Sequence, residues 1–85
     1  MNPLFKLAIL SGNAQAISTR LQHGGLVDVP DGKGYFPLML AAEKGHFDIC
    51  KLLIEHGADP DRKTPGNKTA ADLAAVNGHN DIVQL

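Results

Sequence analysis

The stretch that decides the fold runs from Gly34 to Asp61 and reads GYFPLMLAAEKGHFDICKLLIEHGADPD. Its first half places Leu38, Ala41 and Ala42 at the i, i+3, i+4 spacing of one helical face. Gly45 follows, and glycine ends a helix in a left-handed turn without steric penalty. The pattern predicts a helix of about two turns.

The second half of the stretch predicts a second helix, antiparallel to the first. Asp48 suits the positive end of the helix dipole, and Gly57 marks the end of the helix. Between them lie the apolar residues Ile49, Cys50, Leu52, Leu53 and Ile54. Isolated helices shorter than about 12–15 residues are marginal in water, so we expect this pair to pack against a similar unit.

The flanking sequence supplies such units, because the pattern repeats. Gly12, Gly45 and Gly78 stand 33 residues apart, and Gly24 and Gly57 repeat the same step. The side chains keep this register, since Ala42-x-x-Gly45-His46-x-Asp48-Ile49 returns as Ala75-x-x-Gly78-His79-x-Asp81-Ile82. A strict period of this length indicates a repeat architecture.

The repeating residues resemble the ankyrin repeats, which have a 33-residue period and consist of a turn and two helices. The middle copy matches that pattern at Gly34, Pro37-Leu38, Ala41-Ala42, Gly45-His46, Ile49, Leu52-Leu53 and Gly57-Ala58-Asp59. The resemblance covers essentially the whole chain. It implies an all-α ankyrin-repeat solenoid of stacked helix-turn-helix units with projecting hairpin-like turns. The expected divisions are an N-terminal capping repeat at about 2–29, a second repeat at 30–61 and an incomplete third repeat at 62–85.

The first copy has the features of a terminal repeat. Asn2-Pro3 predicts a helix start, with an N-cap side chain followed by proline. Thr19 and Arg20 replace the leucine pair of the second copy, and terminal repeats commonly carry polar residues on the uncovered face. The copy keeps the repeat positions Leu4, Leu7, Ala8, Gly12, Ile17, Leu21 and Gly24.

The third copy stops at Leu85, midway through its second predicted helix. We therefore expect Leu73, Ile82 and Leu85 to lack a complete neighbour, and the chain to be the N-terminal part of a longer protein. If the end is native, the uncovered apolar surface should pair with another copy. Self-association through this end is the alternative function.

Composition excludes several classes of function. The net charge is −1 and the pI about 6.4, with both signs interspersed, which favours neither nucleic acid nor an anionic membrane as partner. The single cysteine allows no internal disulfide. No secretory leader and no run of transmembrane length is visible, so we expect a cytoplasmic protein.

Several residues imitate catalytic or binding motifs. Gly32-Lys33-Gly34 lacks the spacing and context of a phosphate-binding loop. His46 and His79 lie a whole repeat apart, so we expect structural roles, with each imidazole bonded to the adjoining turn as the family implies. Cys50 stands four residues after His46, but its repeat position predicts burial rather than a catalytic pair. We predict no catalytic residue, cofactor or metal site.

The middle copy departs from the family at Phe36 and Met39, where threonine and histidine usually stand. The resemblance implies that those residues normally tie down the start of the first helix, so Pro37 must set it here. Phe36 either packs between neighbouring turns or serves as a partially exposed aromatic anchor for a ligand. We favour packing, because apolar residues at repeat boundaries are usually core.

The remaining function is binding of a protein partner on the concave side, where the turns and first helices line up. The resemblance assigns contact positions residue by residue. Tyr35 is the strongest single candidate, since tyrosine offers apolar area with a polar tip. Each position could equally be an ordinary solvated residue. The assigned residues are Lys33, Tyr35, Glu43, Lys44, His56, Lys68, Val76 and Asn77.

Overall fold

The computed structural model describes residues 1–24 and 27–85, and every regular element in that part of the chain is an α-helix. The helices come in three pairs, and each pair is joined by a short turn. Their bounds are α1 Pro3–Ser11, α2 Ala14–Gln22, α3 Pro37–Lys44, α4 Phe47–Glu55, α5 Ala70–Val76 and α6 Asn80–Val83.

The pairs stack side by side in two layers. The first helices α1, α3 and α5 pack in a row, and so do the second helices α2, α4 and α6. Each first helix also packs against the second helix of its own pair. The predicted all-α solenoid of helix-turn-helix units is therefore confirmed. One continuous core runs through all three pairs, from Phe5 and Ile9 to Ala74 and Ile82.

The glycine between the helices of a pair carries both the turn and the contact to the next pair. Gly45 is left-handed with a φ of 79°, as predicted. A Cβ there would lie 2.6 Å from the His79 ring, and one on Gly12 would lie 2.9 Å from the His46 ring. The His46 Nε2–H also donates to the Leu10 carbonyl at 3.1 Å. The structural role predicted for His46 is confirmed.

The three first helices begin in three different ways. The Asn2 side chain accepts hydrogen bonds from the Leu4 and Phe5 N–H groups at 2.8 and 3.3 Å, which confirms the predicted N-cap. Thr69 and Asp72 exchange two bonds at 3.2 and 3.0 Å, a reciprocal capping box. Helix α3 has no side-chain oxygen at its N-cap, Phe36, and begins at Pro37, while the Phe36 N–H lies 3.4 Å from the Met39 sulfur.

The first copy differs from its expected polar cap on the α1 side. Thr19 and Arg20 are exposed as expected, but so are Leu4 and Leu7, with exposed fractions of 76% and 62%. The core positions of α1 are Phe5 and Ile9 instead. Almost every residue of α1 is apolar, so the sequence pattern does not distinguish its buried face from its exposed face.

The expectation of an uncovered C-terminal end was wrong for Ile82. Its side chain is only 5% exposed, because α6 packs against both α5 and α4. Leu73 is half-buried against the core. Leu85 is 47% exposed, so the expectation holds there.

Candidate functional site

Two hairpin-like turns project between the repeats and share one backbone conformation. In the first finger (residues 31–36), the Asp31 N–H donates to the Tyr35 carbonyl at 2.8 Å and the Gly34 N–H to the Asp31 carbonyl at 3.1 Å. The second finger (residues 64–69) makes the corresponding pair of bonds, both at 2.8 Å, between positions 64 and 68 and between positions 67 and 64. The predicted projecting turns are confirmed.

Asp31 anchors the first finger, although the sequence reading did not single it out. Its Oδ1 accepts hydrogen bonds from the Lys33 and Tyr35 N–H groups, both at 2.9 Å. Its Oδ2 lies 3.0 Å from Lys6 Nζ on α1, and the carboxylate side chain is only 5% exposed. Burial alone would raise the pKa of Asp31. The bonds from Tyr35, Lys6 and Lys33 outweigh burial and hold that pKa below its ordinary value.

A shallow groove of about 330 Å³ opens between the first finger, α1 and α3. We call it the finger groove. It brings together half of the predicted contact residues, namely Lys33, Tyr35, Glu43 and Lys44. The other lining residues are Lys6, Leu10, Asp31 and Leu40. Lys33 and Lys44 are exposed, whereas Tyr35 and Glu43 are half-buried.

The other predicted contact residues lie outside the finger groove. Lys68 is exposed on the second finger, where its N–H donates to Thr64 Oγ1 at 3.2 Å. Val76 and Asn77 end α5, and the Asn77 amide donates to the Leu73 carbonyl at 2.8 Å. The His56 Nδ1–H donates to the Leu52 carbonyl of its own helix at 2.9 Å. These side-chain bonds are local to their own elements.

Arg62 lies just ahead of the second finger and contacts the first finger and the segment before it, and it too was missed from the sequence. Its Nε donates to Asp28 Oδ2 at 3.1 Å, ahead of the first finger. Its guanidinium lies 5.1 Å from the centre of the Phe36 ring, within cation–π range. Phe36 is half-buried: part of its side chain packs against the core, as the packing interpretation expects, and part stays exposed.

The residues that imitate catalytic motifs do not form a reactive group. Cys50 is fully buried, as predicted, and burial, with a smaller contribution from the charge of Asp81, raises the pKa of its thiol to about 12. The thiol is therefore neutral near pH 7 and weakly nucleophilic. In residues 1–24 and 27–85, no three His, Cys, Asp or Glu side chains converge in a way that could hold a metal ion.

Residues 4–85 match a family model described as ankyrin repeats, three copies. The chain belongs to the ankyrin repeat family. Ankyrin repeats are generally protein–protein interaction modules and generally non-catalytic. The finger groove is accordingly the surface to consider as a binding site.

Three curated relatives match most of this chain. It is 32% identical over 70 residues to mouse ankyrin repeat family A protein 2, which covers 82% of this chain and 22% of the relative. It is 40% identical over 68 residues to human espin-like protein, covering 80% of this chain and 7% of the relative. It is 43% identical over 58 residues to dauer abnormal formation protein 25 of Caenorhabditis elegans, with 68% and 15% covered. The chain thus spans less than a quarter of the length of these relatives.

The helices of this ankyrin chain are short. The longest have nine residues, whereas a helix needs about 20 apolar residues to cross a bilayer. Among the helices that the structure describes, none is long and apolar enough to span a membrane.

Proposed function

We propose that this ankyrin module binds a protein partner through the concave surface of its fingers and first helices, with the finger groove at its centre. The observation that carries the proposal is the convergence of Lys33, Tyr35, Glu43 and Lys44 on one groove. Lys68, Val76, Asn77 and His56 would extend the contact along the surface. Protein interfaces combine an apolar centre with a polar rim, and the groove has both.

Tyr35 is the proposed anchor of the contact. It lies at the end of the first finger and its side chain is half-buried, next to the buried Leu40. The Asp31 carboxylate holds its N–H at 2.9 Å, so the backbone position of the ring is fixed before a partner arrives. Anchors that are already ordered lose less conformational entropy on binding.

A matched pair of variants tests whether the partner binds at the finger groove. Lys44→Glu and Lys51→Glu make the same charge change at exposed lysines, one in the groove on α3 and one on the second helix α4. Wild type and both variants serve as bait in lysate from the source cells, and the captured proteins are identified by mass spectrometry. We expect Lys44→Glu to lose partners that Lys51→Glu keeps, and calorimetric titration of such a partner to show weaker binding to Lys44→Glu only.

Equal losses for the two lysine variants, or none for either, would place the binding surface elsewhere. Tyr35→Ala combined with Lys44→Glu gives a stronger block. Because Tyr35 is half-buried, that variant is checked by circular dichroism, and only a folded variant is compared with the wild type.

We propose that the module is non-catalytic and works in a reducing compartment such as the cytoplasm. Cys50 supports both statements, because its buried thiol is a poor nucleophile and the chain has no second cysteine for a disulfide. We also propose repeat boundaries at about 2–29, 30–61 and 62–85. Thr19 and Arg20 support a capping role for the first copy, whereas the exposed Leu4 and Leu7 do not.

Self-association is the second candidate function, favoured by an apolar cavity of about 200 Å³ at the C-terminal end. Its walls include Leu38, Ile54 and Ile82, and the rim includes Val83 and Leu85, which are 39% and 47% exposed. The cavity lies between the second and third helix pairs, beside α6, and the proposed occupant of its open side is a second copy of the chain.

Light scattering at increasing concentration tests the self-association. A mass that rises with concentration in the wild type and stays at 9.0 kDa in Val83→Asp, Leu85→Asp would support pairing. A wild type that stays monomeric at every concentration would exclude it. Ile82 is left unchanged, because its burial makes a polar substitution disruptive to the fold.

A further inference from the structure

We infer, given the partner-binding role proposed above, that the segment entering the finger groove is an acidic peptide segment with a bulky apolar side chain. The lining of the finger groove includes three lysines, Lys6, Lys33 and Lys44, and two carboxylates, Asp31 and Glu43. Because Lys6 pairs with Asp31, two free lysines remain against one free carboxylate.

The carboxylates on the finger side are largely engaged within the chain. Asp31 is paired with Lys6 at 3.0 Å, and Asp28 with Arg62 at 3.1 Å. Asp59 lies 4.0 Å from the same arginine, and Asp72 accepts the Thr69 N–H at the start of α5. In the described part of the chain, only Glu43 and Asp61 remain on this side with neither an ion pair nor a hydrogen bond to the carboxylate.

The lysines on the same side remain available. Within residues 1–24 and 27–85, no ion pair joins a carboxylate to Lys33, Lys44, Lys63 or Lys68, all of which are exposed. Over this whole side, six basic side chains are balanced by six acidic ones, because a hydrogen bond does not remove the charge of a carboxylate. The excess of positive charge is local to the finger groove, where the free Lys33 and Lys44 face one free carboxylate, that of Glu43. The second helices carry an excess of negative charge, with Asp48, Glu55 and Asp81 against Arg20 and Lys51.

The finger groove places this charge around an apolar wall. Lys33 and Lys44 are exposed where they line it, and Leu10, Leu40 and Tyr35 supply the apolar lining. Asp31 also faces the groove, but Lys6 and two backbone N–H groups already neutralise and solvate its carboxylate. An apolar side chain seated against Tyr35 and Leu10 would therefore leave flanking carboxylates within reach of the two lysines.

Nucleic acid would also be drawn to free lysines, but the groove favours a peptide. Single-stranded nucleic acid binds on exposed aromatic rings, where successive bases stack. Tyr35 is the only aromatic residue lining the groove and is half-buried, so the groove offers no row of rings for successive bases. The aliphatic walls suit a leucine, isoleucine or phenylalanine side chain instead.

A selection with a displayed library of random heptapeptides tests the inference on the full chain. The expected consensus holds one large apolar residue flanked by aspartate or glutamate. Synthetic consensus peptide, followed by fluorescence anisotropy, should bind Lys33→Glu, Lys44→Glu at least about tenfold more weakly than wild type, because each reversal replaces attraction by repulsion. Lys51→Glu should bind like wild type. Raising the salt from 0.1 to 1 M should weaken binding, since the Debye length falls from about 10 to 3 Å.

Three results would overturn the inference. These are a neutral or basic consensus, an acidic consensus whose affinity is unchanged in Lys33→Glu, Lys44→Glu, and a selection that enriches no peptide. A labelled single-stranded oligonucleotide that binds through the same lysines more tightly than the consensus peptide would also overturn it.

Failure of the inference can be told apart from failure of the proposed function. If the Lys44→Glu bait loses partners that the Lys51→Glu bait keeps, while the peptide selection yields no acidic consensus, the groove binds proteins of another chemistry. If neither experiment depends on Lys44, the binding surface itself is misplaced.

Discussion

The first and second fingers have the same backbone bonds, 33 residues apart, but different side chains hold them. Asp31 accepts two N–H groups in the first finger and pairs with Lys6 on α1. Thr64 holds the second finger through one bond to the Lys68 N–H at 3.2 Å. The two fingers therefore share the backbone shape of the 33-residue repeat. Their charge and their contacts with the rest of the chain differ, because Asp31 and Thr64 occupy equivalent positions.

The helix that follows each finger shows the same division. After the second finger, Thr69 and Asp72 form a capping box with oxygen atoms. After the first finger, Phe36 and Met39 occupy the corresponding positions and the sulfur replaces the oxygen. A helix forms after both fingers. After the first finger, Pro37 compensates for the missing oxygen cap, because its φ angle suits a first helical residue.

The largest expected effect comes from substituting the repeated glycines that end the first helices. Gly45→Ala should lower the free energy of unfolding by about 3 kcal/mol, because the left-handed backbone is strained and the methyl group meets the His79 ring. Gly78→Ala has nearly the same φ, 77°, but nothing within 4 Å, so it should lose only about 1–2 kcal/mol. Urea unfolding measures both. Equal losses would mean that the histidine ring contributes nothing to the stacking.

The next largest effect is the difference in free energy of unfolding between variants that weaken the first finger and variants that weaken the second. Asp31→Ala should lower the free energy of unfolding by about 2 kcal/mol, since it removes two bonds to a charged acceptor and an ion pair. Thr64→Ala removes one neutral bond and should lose about 1 kcal/mol. Urea unfolding of the two variants at neutral pH measures the difference. A Thr64→Ala loss as large as that of Asp31→Ala would show that the charge does not distinguish the fingers.

The smallest effect is the dependence of stability on pH. The pKa of Asp31 is lowered in the folded chain, so its stabilising contribution is complete above its ordinary value of 3.8 and is lost as the pH falls through the lower folded value. The pKa of Asp72 is also lowered, mainly by the Thr69 N–H, and acts in the same direction. Asp31→Asn should flatten the loss of stability below about pH 4. If the free energy of unfolding of this variant fell below pH 4 as steeply as that of the wild type, the anchoring role of Asp31 would be contradicted.

Much of the fold could be predicted because the repeating residues act locally. Gly45 ends its helix and Leu38, Ala41 and Ala42 are buried, as their spacing indicates. The sequence does not identify the buried residues where the local pattern gives no unique answer. In α1 both faces are apolar, so Leu4 was as good a core candidate as Phe5, and the neighbouring helices decided between them.

The candidate site could be predicted only in part. The resemblance to ankyrin repeats assigned Lys33, Tyr35, Glu43 and Lys44 to one surface, and these four residues do line one groove. The ion pairs that shape the charge of that surface join residues far apart in sequence, Lys6 with Asp31 and Arg62 with Asp28. Neither ion pair has a counterpart in the other repeats, so the 33-residue repeat could not predict them.

The most direct test of the central claim, that the first finger and its groove bind the partner, is an amide chemical-shift map of the isotope-labelled chain. The chain is titrated with a partner that the wild type captures and Lys44→Glu does not. We predict shifts and broadening at residues 31–36 and at Glu43 and Lys44, with little change in α2 or α4. Changes concentrated in α2 and α4, or confined to residues 80–85, would contradict the account.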